Sequence, residues 1–235
     1  MKQSAIWKIK RWRFSPNRSS DQVTARRLSI PLPSSTLTAS IMAAVLLGAA
    51  VFGWQLWPRD PGSSSPEAGF LRDMSTHHSQ AVEMALIIRD RTSDPQLKAL
   101  ATDIALSQTN EMGLMRGYLD LWGLPLTGDD IPMTWMGMPT EGPMPGMATP
   151  EDVERLRTLP VDQAEMLFLQ FMIRHHQGGV EMAQAVLDRS DQKQVTFLAG
   201  RIVMLQNAEI GTMNSMLEDR GEAPITDPLP DSHGH

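Results

Sequence analysis

The sequence predicts an all-α protein: a four-helix bundle made of two repeated helical hairpins and preceded by one transmembrane helix. Three observations predict it. First, Phe70 to Ala85 reads FLRDMSTHHSQAVEMA and, ninety-eight residues later, Phe168 to Ala183 reads FLQFMIRHHQGGVEMA, with Phe, Leu, Met, the His pair, Val, Glu, Met and Ala in register. The offset holds further on, where Leu100, Ile104, Gln108, Glu111, Met115 and Leu119 match Leu198, Ile202, Gln206, Glu209, Met213 and Leu217. Second, apolar residues after about residue 66 recur at helical spacing, with no strand-like alternation. Third, Leu37 to Trp57 is a run of twenty-one residues without a charge.

That run is long enough to span a bilayer as a helix. Lys and Arg precede it and Trp54 and Trp57 close it, which predicts a single-pass anchor in the cytoplasmic membrane, with a cytoplasmic amino terminus and an exported remainder. A cleaved signal peptide is the alternative, but it needs small residues at a cleavage site and the run ends in WQLWPRD. Residues 1–36 are basic and Ser-rich and read as a cytoplasmic tail. Residues 58–65 are a Pro/Gly/Ser linker.

Ser65-Pro66-Glu67 starts a helix with Ser as N-cap and Pro in the first turn, and that helix is expected to run to about Arg91. Asp94-Pro95 opens the next helix in the same manner, and Gly123 closes it. These form the first repeat, 66–123. The second, 162–221, is read as one helix opened by a capping box of Asp162 and Glu165 and another from about Asp191 to Gly221. Between them lies 124–160, which is Met- and Pro-rich at first, cannot be a regular element there, and ends in a short helix near 150–158. Residues 222–235 form a tail ending in His233-Gly234-His235.

Charge and composition remove several function classes. Residues 1–57 carry eight Lys or Arg and one Asp, +7, while 58–235 carry thirteen basic and twenty-six acidic residues, −13. The acidic part would repel phosphates, so no nucleic-acid partner is expected. Without cysteine there are no disulfides, thiolate ligands or Cys nucleophiles. No Gly-rich loop follows a strand and no nucleophile elbow is present, so neither phosphate-cradling nor Ser-His-Asp chemistry is supported.

At about 100° per residue, Met74, His77, His78, Ala81, Ala85 and Ile88 share one stripe of the first helix, with Met84 at its edge and Glu83 on the opposite side. On the second helix Ala101, Ile104, Gln108, Glu111, Met112, Met115 and Leu119 form the apolar stripe. A carboxylate on a core face needs a partner. Folding the first hairpin about residues 92–93 sets His77 opposite Gln108 and Met74 opposite Glu111; the second sets His175 opposite Gln206 and Met172 opposite Glu209. Two polar clusters are therefore expected at matching depth. The candidate metal set is Met74, His77, His78, Met84, Gln108, Glu111 and Met115, with Met172, His175, His176, Met182, Gln206, Glu209 and Met213 in the second copy.

Imidazole suits copper, zinc, iron and nickel, and thioether favours Cu(I), so a mixture of His and Met without cysteine points to copper, as Cu(I) or Cu(II), ahead of other transition metals. The Met-rich loop fits a role in collecting or passing on Cu(I). Each element has a plainer reading: a buried His facing a Glu is usually a satisfied pair, and Met at helical spacing is usually core. Two adjacent histidines kept in both copies are a poor solution to packing, which favours the metal. His233 and His235 are read as incidental, and Glu83 and Glu181 as solvated.

The pattern F-x-x-x-M-x-x-H-H-x-x-[AG]-V-x-M-A followed by Q-x-x-E-x-x-x-M, here Phe70 to Met115 and Phe168 to Met213, resembles the bacterial family catalogued as domain of unknown function 305. The resemblance covers about 66–220. It implies a ferritin-like bundle, exported or membrane-anchored, with some members acting as periplasmic copper-binding proteins in copper tolerance. Carried over by position, that role falls on Met74, His77, His78 and Met84 and on Met172, His175, His176 and Met182. Many relatives have Pro before the first His and Gln-Gly after the second. Here repeat two has Arg174 and keeps Gln177-Gly178, whereas repeat one has Thr76 and Ser79-Gln80, which would make the two sites unequal.

The function expected is thus a membrane-anchored copper-binding and buffering protein on the outer face of the cytoplasmic membrane, with no catalysis required. One alternative is a di-metal oxidase, which normally takes four Glu and two Glu-x-x-His motifs; here Met74 and Met172 stand three residues before His77 and His175. The other is an envelope module whose His pairs are polar core networks and which takes up no metal. The protein that would donate or accept the metal, and the oligomeric state, are left open.

Overall fold

The computed structural model describes residues 35–55 and 60–229. The basic tail up to residue 34, the Trp57 end of the apolar run and the terminal His233 and His235 lie outside them. The chain divides after Pro58 into two units, each described by itself. In the first, α1 (Ser35–Gln55) carries a stretch, Ser35–Trp54, long and apolar enough to cross a membrane, with mean hydropathy 1.9.

The second unit contains α2 (Pro66–Arg91), α3 (Pro95–Leu121), a 3-10 turn (Thr134–Met136), α4 (Pro150–Thr158), α5 (Val161–Leu187) and α6 (Lys193–Asp219), and no strand among the described residues. The starts of α2, α3 and α4 follow from the sequence. Ser65, Asp94 and Thr149 accept hydrogen bonds from first-turn amides, and Pro occupies the next position, where its missing N–H costs nothing. The start of α5 differs from expectation. Pro160 is its N-cap without a side-chain bond, and Glu165 instead accepts from Thr92 Oγ1 at 2.5 Å and pairs with Arg220 at 3.5 Å. The capping box gives way because Glu165 is drawn into contacts that tie α5 to the α2–α3 turn and to the end of α6. A single 3-10 turn also forms inside the Met/Pro-rich segment.

α2 lies along α3, α5 along α6, and α2 packs against α5. The apolar core falls into two clusters, and their composition gives the topology. One cluster takes Met84, Ala85 and Ile88 from α2, Leu97 to Ala105 from α3, Phe168 to Ile173 from α5 and Met213 to Leu217 from α6. The other takes Phe70 to Met74, Met115 and Leu119, Met182 to Val186, and Val195 to Ile202. α2 and α6 therefore run one way and α3 and α5 the other. Because α3 ends where α5 does not begin, the connection 122–160 must travel the length of the bundle. It does so in two stages, with Met133, Met136 and Met144 in one cluster and Ala148, Val153 and Leu156 in the other. Near its start the loop is fastened to α2: Asp73 accepts from the amide of Met133 at 2.7 Å and from Trp135 Nε1 at 2.9 Å. Met133 takes φ 68°, a left-handed conformation that a residue with a side chain adopts only when its surroundings enforce it.

Candidate metal centre

On every one of the four long helices polar side chains face inward between the two apolar clusters: His77 and His78 on α2, Gln108 and Glu111 on α3, His175 and His176 on α5, Gln206 and Glu209 on α6. They make one layer across the middle of the bundle. All four histidines are completely buried, as are Gln108 and Gln206 to within 2%. The two clusters expected from the repeats are thus a single one, because α2 and α5 cross at their His pairs and bring the His77 and His175 rings to 3.8 Å between centroids.

His78 Nε2 lies 2.8 Å from Glu111 Oε2, and His176 Nε2 lies 2.7 Å from Glu209 Oε2. The carboxylates therefore meet the second histidine of each pair, about one helical turn from the expected Met74–Glu111 and Met172–Glu209 registers. The first connection is Thr92 to Asp94, centred on Ser93 rather than at 92–93, and side chains lean toward the amino terminus of their own helix, so antiparallel partners meet at a larger residue sum than their backbones do. Glu111 is buried, whereas the Glu209 side chain keeps 18% of its exposure. Met112, placed on the core stripe, is partly exposed. Met84, Met172 and Met213 lie in one flanking cluster and Met74, Met115 and Met182 in the other, all six fully buried. Ser75 Oγ approaches Met115 Sδ at 3.2 Å.

Burial holds the imidazoles of His77, His78 and His175 neutral. It pushes His77 down to about 3, lowers His78 in spite of the Glu111 carboxylate, and lowers His175 well below the usual range, helped by His77 and His176 nearby. A neutral imidazole has one N–H, and its partners decide where it sits. His78 and His176 face carboxylates through Nε2, and His77 Nε2 lies 3.0 Å from the carbonyl of Pro145. Carbonyl and carboxylate oxygens only accept, so these three rings carry hydrogen on Nε2, and the neutral His77 and His78 present a bare Nδ1. His175 has a partner on neither nitrogen.

Ten buried side-chain nitrogens and oxygens among the described residues lack a hydrogen-bond partner, and all ten belong to this layer: the Nδ1 of all four histidines, His175 Nε2, Glu111 Oε1 and both amide atoms of Gln108 and Gln206. An unpaired buried polar atom costs about 1–3 kcal/mol. A network kept for structure satisfies its own members. Among the described residues no three of His, Asp and Glu converge as a ready-made cage, so an ion bound here would have to draw its ligands together by side-chain rotation. The ligand atoms left without a partner are mainly imidazole nitrogens, with Glu111 Oε1 and the two glutamine oxygens beside them, between two banks of thioethers. That set fits a soft or borderline ion whose histidines are oriented from outside by carboxylate and carbonyl.

Repeat differences at 76–80 and 174–178 have a structural reason that sequence reasoning missed. Gln80 clasps the backbone of Ala148 with both ends of its amide, at 2.9 and 2.8 Å. At the matching position Gly178 leaves room for the Pro145 carbonyl, which a Cβ there would meet at 1.9 Å. Arg174 and Gln177 bind the carbonyl of Asp227 in the carboxy-terminal tail. Each repeat carries the residues that fit the segment crossing it.

A family model described as "Domain of unknown function (DUF305)" matches residues 67–217. The chain belongs to the DUF305 family. A DUF305 protein of Streptomyces coelicolor, described as secreted, is 47% identical with TM-score 0.67, covering 71% of this chain and all of its own. A DUF305 fragment of Deinococcus radiodurans is 37% identical with TM-score 0.58, over 69% of this chain and 99% of its own. CopM in its Cu(II)-bound form is 26% identical with TM-score 0.54, over 66% and 97%. A curated relative, uncharacterized protein L153 of Acanthamoeba polyphaga mimivirus, is 49% identical over 51 residues, 22% of this chain, and the match spans about a third of its length, 34%.

Proposed function

We propose that this DUF305 chain is a membrane-anchored, extracytoplasmic metal-binding protein that holds copper in its histidine layer for buffering or tolerance. The observation that carries it is the concentration of unpartnered imidazole nitrogens in one buried layer between thioethers. The ion is held by Nδ1 of His77, His78 and His176 and by His175, drawn together by side-chain rotation from an arrangement in which no three of them converge, with Met74, Met84, Met115, Met172, Met182 and Met213 supplying thioethers from either side. Gln108 and Gln206 turn amide oxygens toward it, while Glu111 and Glu209 fix the tautomers. Imidazole accepts both oxidation states and thioether favours Cu(I), so the cargo is expected to bind more tightly when reduced. The Cu(II)-bound form of CopM supports copper, the secreted description of the Streptomyces coelicolor relative supports export, and α1 supports the anchor. A di-metal oxidase is less well supported, because the layer offers two carboxylates and both are engaged.

The test is thermal unfolding of the full chain in detergent micelles, titrated anaerobically with Cu(I) and, in parallel, with Cu(II) and Zn(II). A ligand that binds only the folded state stabilises it by about 4 kcal/mol at a thousand times its Kd. Cu(I) is expected to give the largest rise in Tm, and the rise is expected to vanish in His77→Leu/His175→Leu. Absence of a shift with all three ions would leave the envelope module as the better account.

A further inference from the structure

The long connection crosses the histidine layer at one place, Pro145 to Ala148, and its fit there is close. His77 donates to the Pro145 carbonyl, Gln80 Nε2 donates to the Ala148 carbonyl, and the Ala148 amide donates back to Gln80 Oε1. Gly146 takes φ 77°, where a Cβ would also stand 2.1 Å from the Arg174 carbonyl. Gly178 lets the Pro145 carbonyl lie against α5. The segment thus rests on the backbone of α5 and on the His77 and Gln80 side chains of α2, and its one backbone-to-backbone hydrogen bond is the turn from Met147 to Met144. Beneath it His77 and His175 have no solvent exposure. Segments with few backbone-to-backbone hydrogen bonds open at low free energy, so this stretch of the wall can part without unfolding a helix.

We propose that residues 144–148 are a strap that closes over the histidine layer, latched by Gln80, and that His77 and His175 are reached only when it lifts. For metal entry the inference rests on the copper reading above; for access to the histidines it stands alone. Gln80→Ala removes both latch bonds, and Gly178→Ala, favourable for the helix itself, pushes a methyl into the Pro145 carbonyl, so the two variants lift the strap by unrelated means.

In the metal-free full chain in detergent, hydrogen exchange at the Ala148 amide and diethyl pyrocarbonate modification of His77 and His175, located by peptide mass spectrometry, are both expected to quicken by about tenfold or more in Gln80→Ala, with exchange in the middle of α3 and α6 unchanged. Gly178→Ala is expected to quicken modification likewise. Cu(I) transfer from its bicinchoninate complex is expected to accelerate to a similar degree, with unchanged final stoichiometry. Faster Ala148 exchange with unchanged modification would show that the histidines are reached by another route and would overturn the strap. Unchanged Ala148 exchange would overturn the latch. If the wild type takes up no copper, the copper reading fails, and the modification rates still decide whether the strap covers the layer.

Discussion

His175→Leu is expected to stabilise the metal-free protein by about 1–3 kcal/mol and to weaken copper binding by at least about tenfold. His175 is fully buried, neither of its nitrogens has a partner, and burial drives it to the neutral form. Leucine has a similar volume and no polar atoms, so it removes a desolvation cost while leaving no cavity. It also leaves Glu111 and Glu209 with their own histidines, so no carboxylate loses its partner. The opposite signs separate function from structure. A residue kept for folding would lose stability on replacement, whereas a ligand held at a cost to the fold gives stability back. Urea unfolding of the metal-free variant and competition with a Cu(I) chelator measure the two effects. A less stable His175→Leu with unaltered copper affinity would assign His175 to structure.

Acid is expected to undo the metal-free fold well above the usual carboxylate range. His77, His78 and His175 are all harder to protonate in the folded protein than in the unfolded chain, His77 only at about 3 against an ordinary 6.5. Below pH 6.5 the unfolded chain therefore binds more protons, and stability falls as pH falls, by up to about 1.4 kcal/mol per pH unit for each such histidine. Above pH 6.5 both states are neutral at these sites and the contribution is flat. Asp73 works the other way, since burial raises its carboxyl, so the histidine effect is best read between pH 7 and 5. Calorimetry of the metal-free chain across that interval is expected to show a falling Tm and a shallower fall in His175→Leu. A Tm that stays level from pH 7 to 5 would mean that the layer admits protons without unfolding.

Much of the scaffold was legible because the chain states its plan twice. The ninety-eight-residue offset gave two hairpins, helical spacing gave the buried faces, and Ser65, Asp94 and Thr149 marked helix starts. The polar positions were visible too, since His77, Gln108 and Glu111 interrupt apolar stripes. Their partners were not. Which histidine meets Glu111 depends on a turn centre displaced by half a residue and on side-chain lean, and a helical wheel carries neither. The union of the two clusters depends on α2 crossing α5 at the His pairs, a contact between repeats that no spacing within a repeat encodes. The strap was hidden because its bonds join Gln80 to Ala148, sixty-eight residues apart, through backbone atoms that any residue supplies. Its one sequence trace was the contrast of Ser79-Gln80 with Gln177-Gly178.

Copper K-edge X-ray absorption of the Cu(I)-loaded full chain tests the central claim most directly, because it reports the ligand atoms themselves. Copper bound in the histidine layer gives the outer-shell scattering of imidazole rings together with thioether sulfur, and both change in His77→Leu/His175→Leu. Sulfur-only coordination that survives this substitution would place the metal on methionines alone and contradict a site built on the histidines of the layer.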